Sequence, residues 1–170
     1  MLSNKLNDAL NDQMRFEIYS ALTYKSMAGY CESLGLAGFS NFFQVQAQEE
    51  LFHGDKFFKY ICEAGGRARL LAIDAPRNDY ESPLDAFEHG LRHEREVTKR
   101  INHLSDLALA ESDHASRIFL NWFVTEQVEE EATFSSVVGR LKLVEGDGRG
   151  LLMLDQELAQ RIFTPPTPAA

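Results

Sequence analysis

Two cysteines, Cys31 and Cys62, are too few for a disulfide framework or a cysteine-ligated iron–sulfur centre, and both sit at apolar positions of helical patterns. Proline is almost as sparse. Of its five residues three fall within the last six of the chain, which leaves the rest free for long uninterrupted helices. No apolar run is long enough to cross a bilayer, and the polar N-terminal residues lack a signal-peptide core. The expected compartment is the cytoplasm, with no membrane partner. Positive charge is also in deficit, 17 basic against 26 acidic residues, and a net charge of -9 argues against nucleic acid or an anionic membrane. It suits a surface that gathers cations.

What is present is helical. Leu, Ala, Glu and Phe are abundant, and 44% hydrophobic content over 170 residues supports a single domain with a full core. Four segments carry apolar seams that step alternately by four and three residues, the spacing of a helix face packed against neighbours. The first runs Leu10, Met14, Glu17, Ala21, Tyr24, Ala28, Cys31; the second Phe39, Phe43, Gln46, Glu50, His53, Phe57, Tyr60, Ala64. The third runs Leu84, Phe87, Leu91, Glu94, Thr98, Ile101, and the fourth Leu120, Phe123, Gln127, Glu130, Phe134, Val137, Leu141. Each seam therefore brings polar residues to a face that should be apolar.

Their spacing predicts one common depth. Glu17 and Glu50 are 33 residues apart, as are Glu94 and Gln127, and a further seam residue, His53 or Glu130, follows three positions later. Residues equidistant from the turn of an antiparallel hairpin lie side by side. The midpoints fall at Leu34/Gly35 and at Ala110/Glu111, next to Ser112 and Asp113, and both read as turns. The chain is thus a helical hairpin used twice, with a polar layer in each half.

Four buried carboxylates need compensating charge, because taking each from water costs several kcal/mol even after relaxation. No Lys or Arg lies on the seams at that depth, whereas two divalent ions would balance four negative charges with His53 neutral. Bridging carboxylates with one imidazole donor suit iron or manganese better than a structural zinc. The competing reading makes the glutamates boundary residues that reach out to water, with His53 a satisfied core histidine.

Ser3 is placed to cap a first helix reaching about Ser33, and a second helix runs from the Gly35–Gly38 region to Gly65 and Gly66. From there to Pro83 no helical period persists. At about 3.3 Å per extended residue this stretch spans a helix of about 40 Å. A crossover of that length makes helices two and three parallel. Ser82 with Pro83 opens the third helix, the fourth follows Ser112, and the Gly146–Gly150 run ends it. A short fifth helix carries Leu151, Leu154, Leu158 and Ile162 on one face; its expected place is between subunits, the alternative being a fold back over its own bundle. The expected fold is all-α: a four-helix bundle with a long crossover and a short fifth helix, one domain over residues 1–163 and a loose tail over 164–170.

In these motifs the chain resembles the ferritins, and among them the non-haem bacterial type. Glu17 upstream of Glu50-x-x-His53 matches the first half of the di-iron pattern of that superfamily, and Glu94 supplies a carboxylate of the second. Gln127-x-x-Glu130 departs from the Glu-x-x-His of symmetric di-iron enzymes and is similar to the asymmetric ferritin centre. The resemblance implies a homo-oligomeric cage of 24 subunits that oxidises Fe(II) with oxygen or hydrogen peroxide and stores ferric mineral. It implies that Glu17 and His53 hold one iron, Glu50 bridges, Glu94 and Glu130 hold the second, and Gln127 is a neutral neighbour. It also implies a candidate third iron site from Glu49, Glu126 and Glu129 with Glu130, against which solvated surface competes for Glu129. Tyr24 reads as a hydrogen-bond partner or electron donor to the centre, and equally as a satisfied core tyrosine. His89, His93, His103 and His114 show no ligand spacing and read as surface residues, His93 least securely because it adjoins Glu94. No haem is expected at the position after Glu50, since Leu51 has no donor atom. The remaining alternatives are a bacterioferritin-like or other di-iron oxidoreductase and a metal-free helical interaction module.

Overall fold

The computed structural model describes residues 2–165, which form five helices and no strand. They are α1 (Asn4–Ser33), α2 (Ala37–Glu63), α3 (Pro83–Ala110), α4 (His114–Leu143) and α5 (Gly148–Leu158). Residues 166–170, most of the expected tail, lie outside the described residues. Three of the long helices begin on a side-chain cap. Ser3 Oγ accepts from Leu6 N, Ser82 Oγ from Asp85 N and Asp113 Oδ1 from Ser116 N, each bond satisfying an otherwise orphaned amide. α1 stops because Gly35 takes φ +74°, which lets Leu36 N donate to Cys31 O and Gly35 N to Glu32 O. The turn that separates α3 from α4 follows the same pattern with Ser112 at φ 56°.

The crossover from Ala64 to Ser82 is pinned along α1 at both ends. Near the start of α1, Asn7 Oδ1 accepts from Arg67 N and Asn11 Oδ1 from Arg69 N. Toward its far end, Ser26 Oγ donates to Arg77 O, and Arg77 stacks on the buried Tyr80 and pairs with Asp85. The segment therefore travels the length of the bundle, and α3 starts at the end where α2 started. As expected, the two run parallel.

The core is in two parts. One holds Tyr24, Met27, Phe39, Phe42, Phe43, Phe87 and Phe134; the other holds Leu6, Leu10, Met14, Phe57, Ile101, Leu120 and Phe123. The polar seam residues occupy the layer between them.

α5 is where the structure corrects the sequence. Its apolar stripe is covered within the chain: Leu154 and Leu158 are buried in the Phe39–Phe42 end of their own bundle, and Leu151 packs against it. The reason lies at the start of α2, whose N-cap residue, Leu36, has no side-chain acceptor for the free amides. Asp155 of α5 fills that role by accepting from Phe39 N at 2.9 Å, a carboxylate at the positive end of a helix. Gly38 permits the approach, because a Cβ there would stand 1.7 Å from Asp155 O. Asn41 then donates to Leu158 O and Arg161 O, closing the end of α5. Ile162, assigned to the same stripe, is 77% exposed and belongs to the segment after the helix. Replacing Leu154 with Ala is expected to cost about 2–5 kcal/mol, as for other buried leucines, and to lower the thermal midpoint. Gly38→Ala should release α5 while α1–α4 persist, read as faster amide exchange confined to residues 148–158.

Candidate metal centre

The six seam residues come together as the spacing predicts. Glu17 from α1, Glu50 and His53 from α2, Glu94 from α3, and Gln127 and Glu130 from α4 are all at most 5% exposed. Glu17, Glu50 and His53 each bring one ligand atom to within 4.8 Å of the others. A carboxylate on one helix and a carboxylate–imidazole pair one turn apart on its neighbour converge because the hairpin aligns their seams.

The neighbours of these carboxylates are neutral donors. Gln13 Nε2 donates to Glu17 Oε1 at 2.9 Å, Gln46 Nε2 to Glu130 Oε2 at 2.6 Å and Gln127 Nε2 to Glu94 Oε2 at 3.1 Å. Tyr24 OH, stacked on Phe43 and Phe134, donates to Glu94 Oε1. Two buried carboxylate oxygens, Glu17 Oε2 and Glu50 Oε2, are left with no hydrogen-bond partner, as is the amide oxygen of Gln46. His53 Nδ1 stands 3.4 Å from Glu50 Oε2.

Burial dominates the electrostatics. It pushes the Glu17 carboxyl up to about 7 and raises Glu50, Glu94 and Glu130, with the charge of Glu94 adding to the rise at the first two and at Glu130. Burial lowers His53 to about 3, so its imidazole is neutral and able to donate a lone pair. The layer is short of positive charge, and one of its bare oxygens, Glu50 Oε2, stands beside a neutral imidazole. A donor set of oxygens with one nitrogen is the chemistry of divalent iron or manganese.

The ferritin-like domain family matches residues 7–144. The chain belongs to the ferritin family. It is similar to the bacterial non-heme ferritin of Staphylococcus aureus, 44% identical over 96% of this chain and 98% of that protein. The corresponding protein of Staphylococcus saprophyticus is 45% identical over the same shares. Among solved structures, a closed form of the Archaeoglobus fulgidus ferritin, engineered by mutagenesis, is 50% identical with a TM-score of 0.95, covering 96% of this chain and 100% of that one. A humanised archaeal ferritin is 52% identical with a TM-score of 0.96, covering 97% and 100%. Iron storage, the function of the ferritin family, is the function of this chain.

Other residues of this ferritin fall differently from their sequence reading. His93 is buried, not at the surface: its Nε2 lies 2.7 Å from Ser20 Oγ, its ring stacks on Phe16, and burial lowers it to about 4. Adjacent to Glu94 on α3, it is turned toward α1, which a seam drawn through Glu94 alone does not reveal. His89 is half-buried, and His103 and His114 are exposed as expected. Glu49 pairs with Arg161 at 2.7 Å; Glu126 is half-buried and Glu129 exposed. Burial raises Glu126, and the charges of Glu129 and Glu49 add to the effect, so the three share one electrostatic neighbourhood. Trp122 lies against His53 and under the Lys56 ammonium. Gln13 is the residue that seam reading missed, and its signal was the Gln–Glu pair at i, i+4 with Glu17.

The raised carboxyls set a pH dependence. Between the unfolded glutamate value near 4.3 and the folded values, the metal-free native state holds protons that the unfolded chain has lost, so its stability falls as pH rises. His53 and His93 act oppositely, an effect that fades as pH rises through the unfolded histidine value near 6.5. From about pH 7.5 up to the folded values of the carboxyls, these act alone. Calorimetry of metal-stripped protein should show a falling thermal midpoint across that window, and a divalent metal should abolish the fall.

Proposed function

We propose that the buried layer is a ferroxidase centre, at which two Fe(II) ions bind as substrate and are oxidised by oxygen before storage. The observation that carries this reading is the pair of bare buried oxygens, Glu17 Oε2 and Glu50 Oε2, beside a neutral His53. Glu17 and His53 hold one ion, Glu94 and Glu130 the other, and Glu50 lies between. Four carboxylates and two dications sum to zero, so loading the site offsets the burial, and the lesser mutual repulsion, that raise the carboxyl pKa values. Protons leave as iron enters.

The remaining residues orient rather than ligate. Gln127, whose amide also reaches Glu94 O and Thr98 Oγ1, aims the Glu94 carboxylate and leaves the second ion without an imidazole. Gln46 does the same for Glu130. Tyr24 holds the other Glu94 oxygen from within an aromatic wall that keeps water out. One electron from each iron passes to oxygen, which takes up two protons and leaves as hydrogen peroxide. The metal charge rises by two, and two hydroxides or one oxide, formed from water that gives up two protons, restore neutrality in the ferric product. Glu49, Glu126 and Glu129 form, with Glu130, a third iron-binding group one helical position away, about 100° around each helix. The shell is a homo-oligomer of 24 subunits in the cytoplasm, and exposed apolar side chains such as Leu22, Leu70 and Met153 suit its contacts. No helix of the described residues is long and apolar enough to cross a membrane.

An anaerobic titration should load about two Fe(II) per chain, the number that four carboxylates neutralise. Glu50→Ala should slow the fast oxidation after an oxygen pulse by orders of magnitude; stopped-flow traces like those of the unsubstituted protein would refute the site. The double change Glu49→Ala with Glu126→Ala should leave the first two-iron oxidation nearly intact while altering oxygen consumed per iron. An unchanged ratio would mark these carboxylates as an acidic surface only.

A further inference from the structure

Glu17 is reached from the surface by a hydrogen-bonded chain that begins on α3. Arg100 Nε donates to Gln13 Oε1 at 2.8 Å, and Gln13 Nε2 donates to Glu17 Oε1 at 2.9 Å. The guanidinium is itself fixed: its Nη2 pairs with Asp12 Oδ2 at 2.5 Å and its carbon lies 4.2 Å over the Phe16 ring. Gln13 is 1% exposed, so its amide has no water to turn toward.

The direction of the chain follows from chemistry. Arginine has donors and no acceptor, so Gln13 must show it the carbonyl oxygen, and the amide NH2 is left facing Glu17. With the opposite flip, an oxygen would face a carboxylate in a dry interior. The consequence reaches the metal ligand: Oε1 of Glu17 already accepts one hydrogen bond, whereas Oε2, buried and bare, is the freer oxygen to bind.

Resting on the di-iron reading above, we infer that Arg100 is a positioning residue that, through Gln13, holds Glu17 as a ligand offering a single oxygen to the first iron. Neither Arg100 nor Gln13 touches the metal. Their effect is to set the number of oxygens the ion meets and to keep Glu17 in place before the ion arrives, as hydrogen-bonded partners of metal ligands do elsewhere.

The test uses the assembled protein and Co(II) without oxygen, read by calorimetry and by visible absorption. Arg100→Leu should weaken one of the two binding steps about tenfold and leave the other in place. Its Co(II) bands should lose intensity, because a freed Glu17 can bind through both oxygens and raise the coordination number. Arg100→Lys, which keeps one donor, should restore part of both. Gln13→Met removes the donor to Glu17 while the Arg100–Asp12 pair stays, and it should reproduce the loss even if Arg100→Leu folds poorly. A role confined to tying α3 to α1 would lower the melting temperature of the variants and leave isotherms and spectra unchanged; that result overturns the inference. An unsubstituted protein that binds no pair of ions would overturn the di-iron reading and this inference with it.

Discussion

Like charges brought together in a dry interior dominate this molecule. The four glutamates of the polar layer repel one another and have lost their hydration, and neither cost is met by a basic residue at their depth. The protein answers with dipoles. Gln13, Gln46, Gln127 and Tyr24 each donate to one of three carboxylates. Among the described residues no neutral side chain donates to Glu50, the carboxylate placed between the others. Dipoles hold an ionised carboxylate without cancelling its charge, so the layer keeps an appetite for cations that an internal lysine would have removed.

A layer under that strain needs walls that do not yield. The apolar clusters on either side supply them, with Phe43 and Phe87 ring centroids 4.4 Å apart on one side and Phe57 and Phe123 equally close on the other. Close-packed aromatic rings resist collapse into the polar layer and admit little water. The same rigidity explains the investment at the ends of the bundle. The crossover is stitched to Asn7 and Asn11, and Asp155 caps α2 from outside. Movement of α1 or α2 along its axis by one residue would turn Glu17 or Glu50 out of the layer.

Much of the centre was legible because helical geometry is periodic. Seven-residue seams and the equal spacing of 33 residues place Glu17, Glu50, His53, Glu94, Gln127 and Glu130 at one depth before any coordinate is known. Ser3, Ser82 and Gly35 mark helix ends by local rules, and the length of the crossover implies the parallel run of α2 and α3. These features depend on residues near one another in sequence, or on a single register between two helices.

What needed the tertiary structure involves angles around a helix and partners far along the chain. His93 adjoins a seam residue, and only the rotation of α3 against α1 decides that it meets Ser20. The apolar stripe of α5 declares that it must be covered, while the uncapped end of α2 and the space at Gly38 decide by what. Arg100 lies 87 residues from Gln13, and nothing in its neighbours distinguishes it from a solvated arginine. Sequence by itself determined the helices, their order and the chemistry of the layer, because local propensity and period act over a few turns. Folding alone decided which donors meet which carboxylates, because a hydrogen bond requires position to a few tenths of an ångström, and only packing sets that.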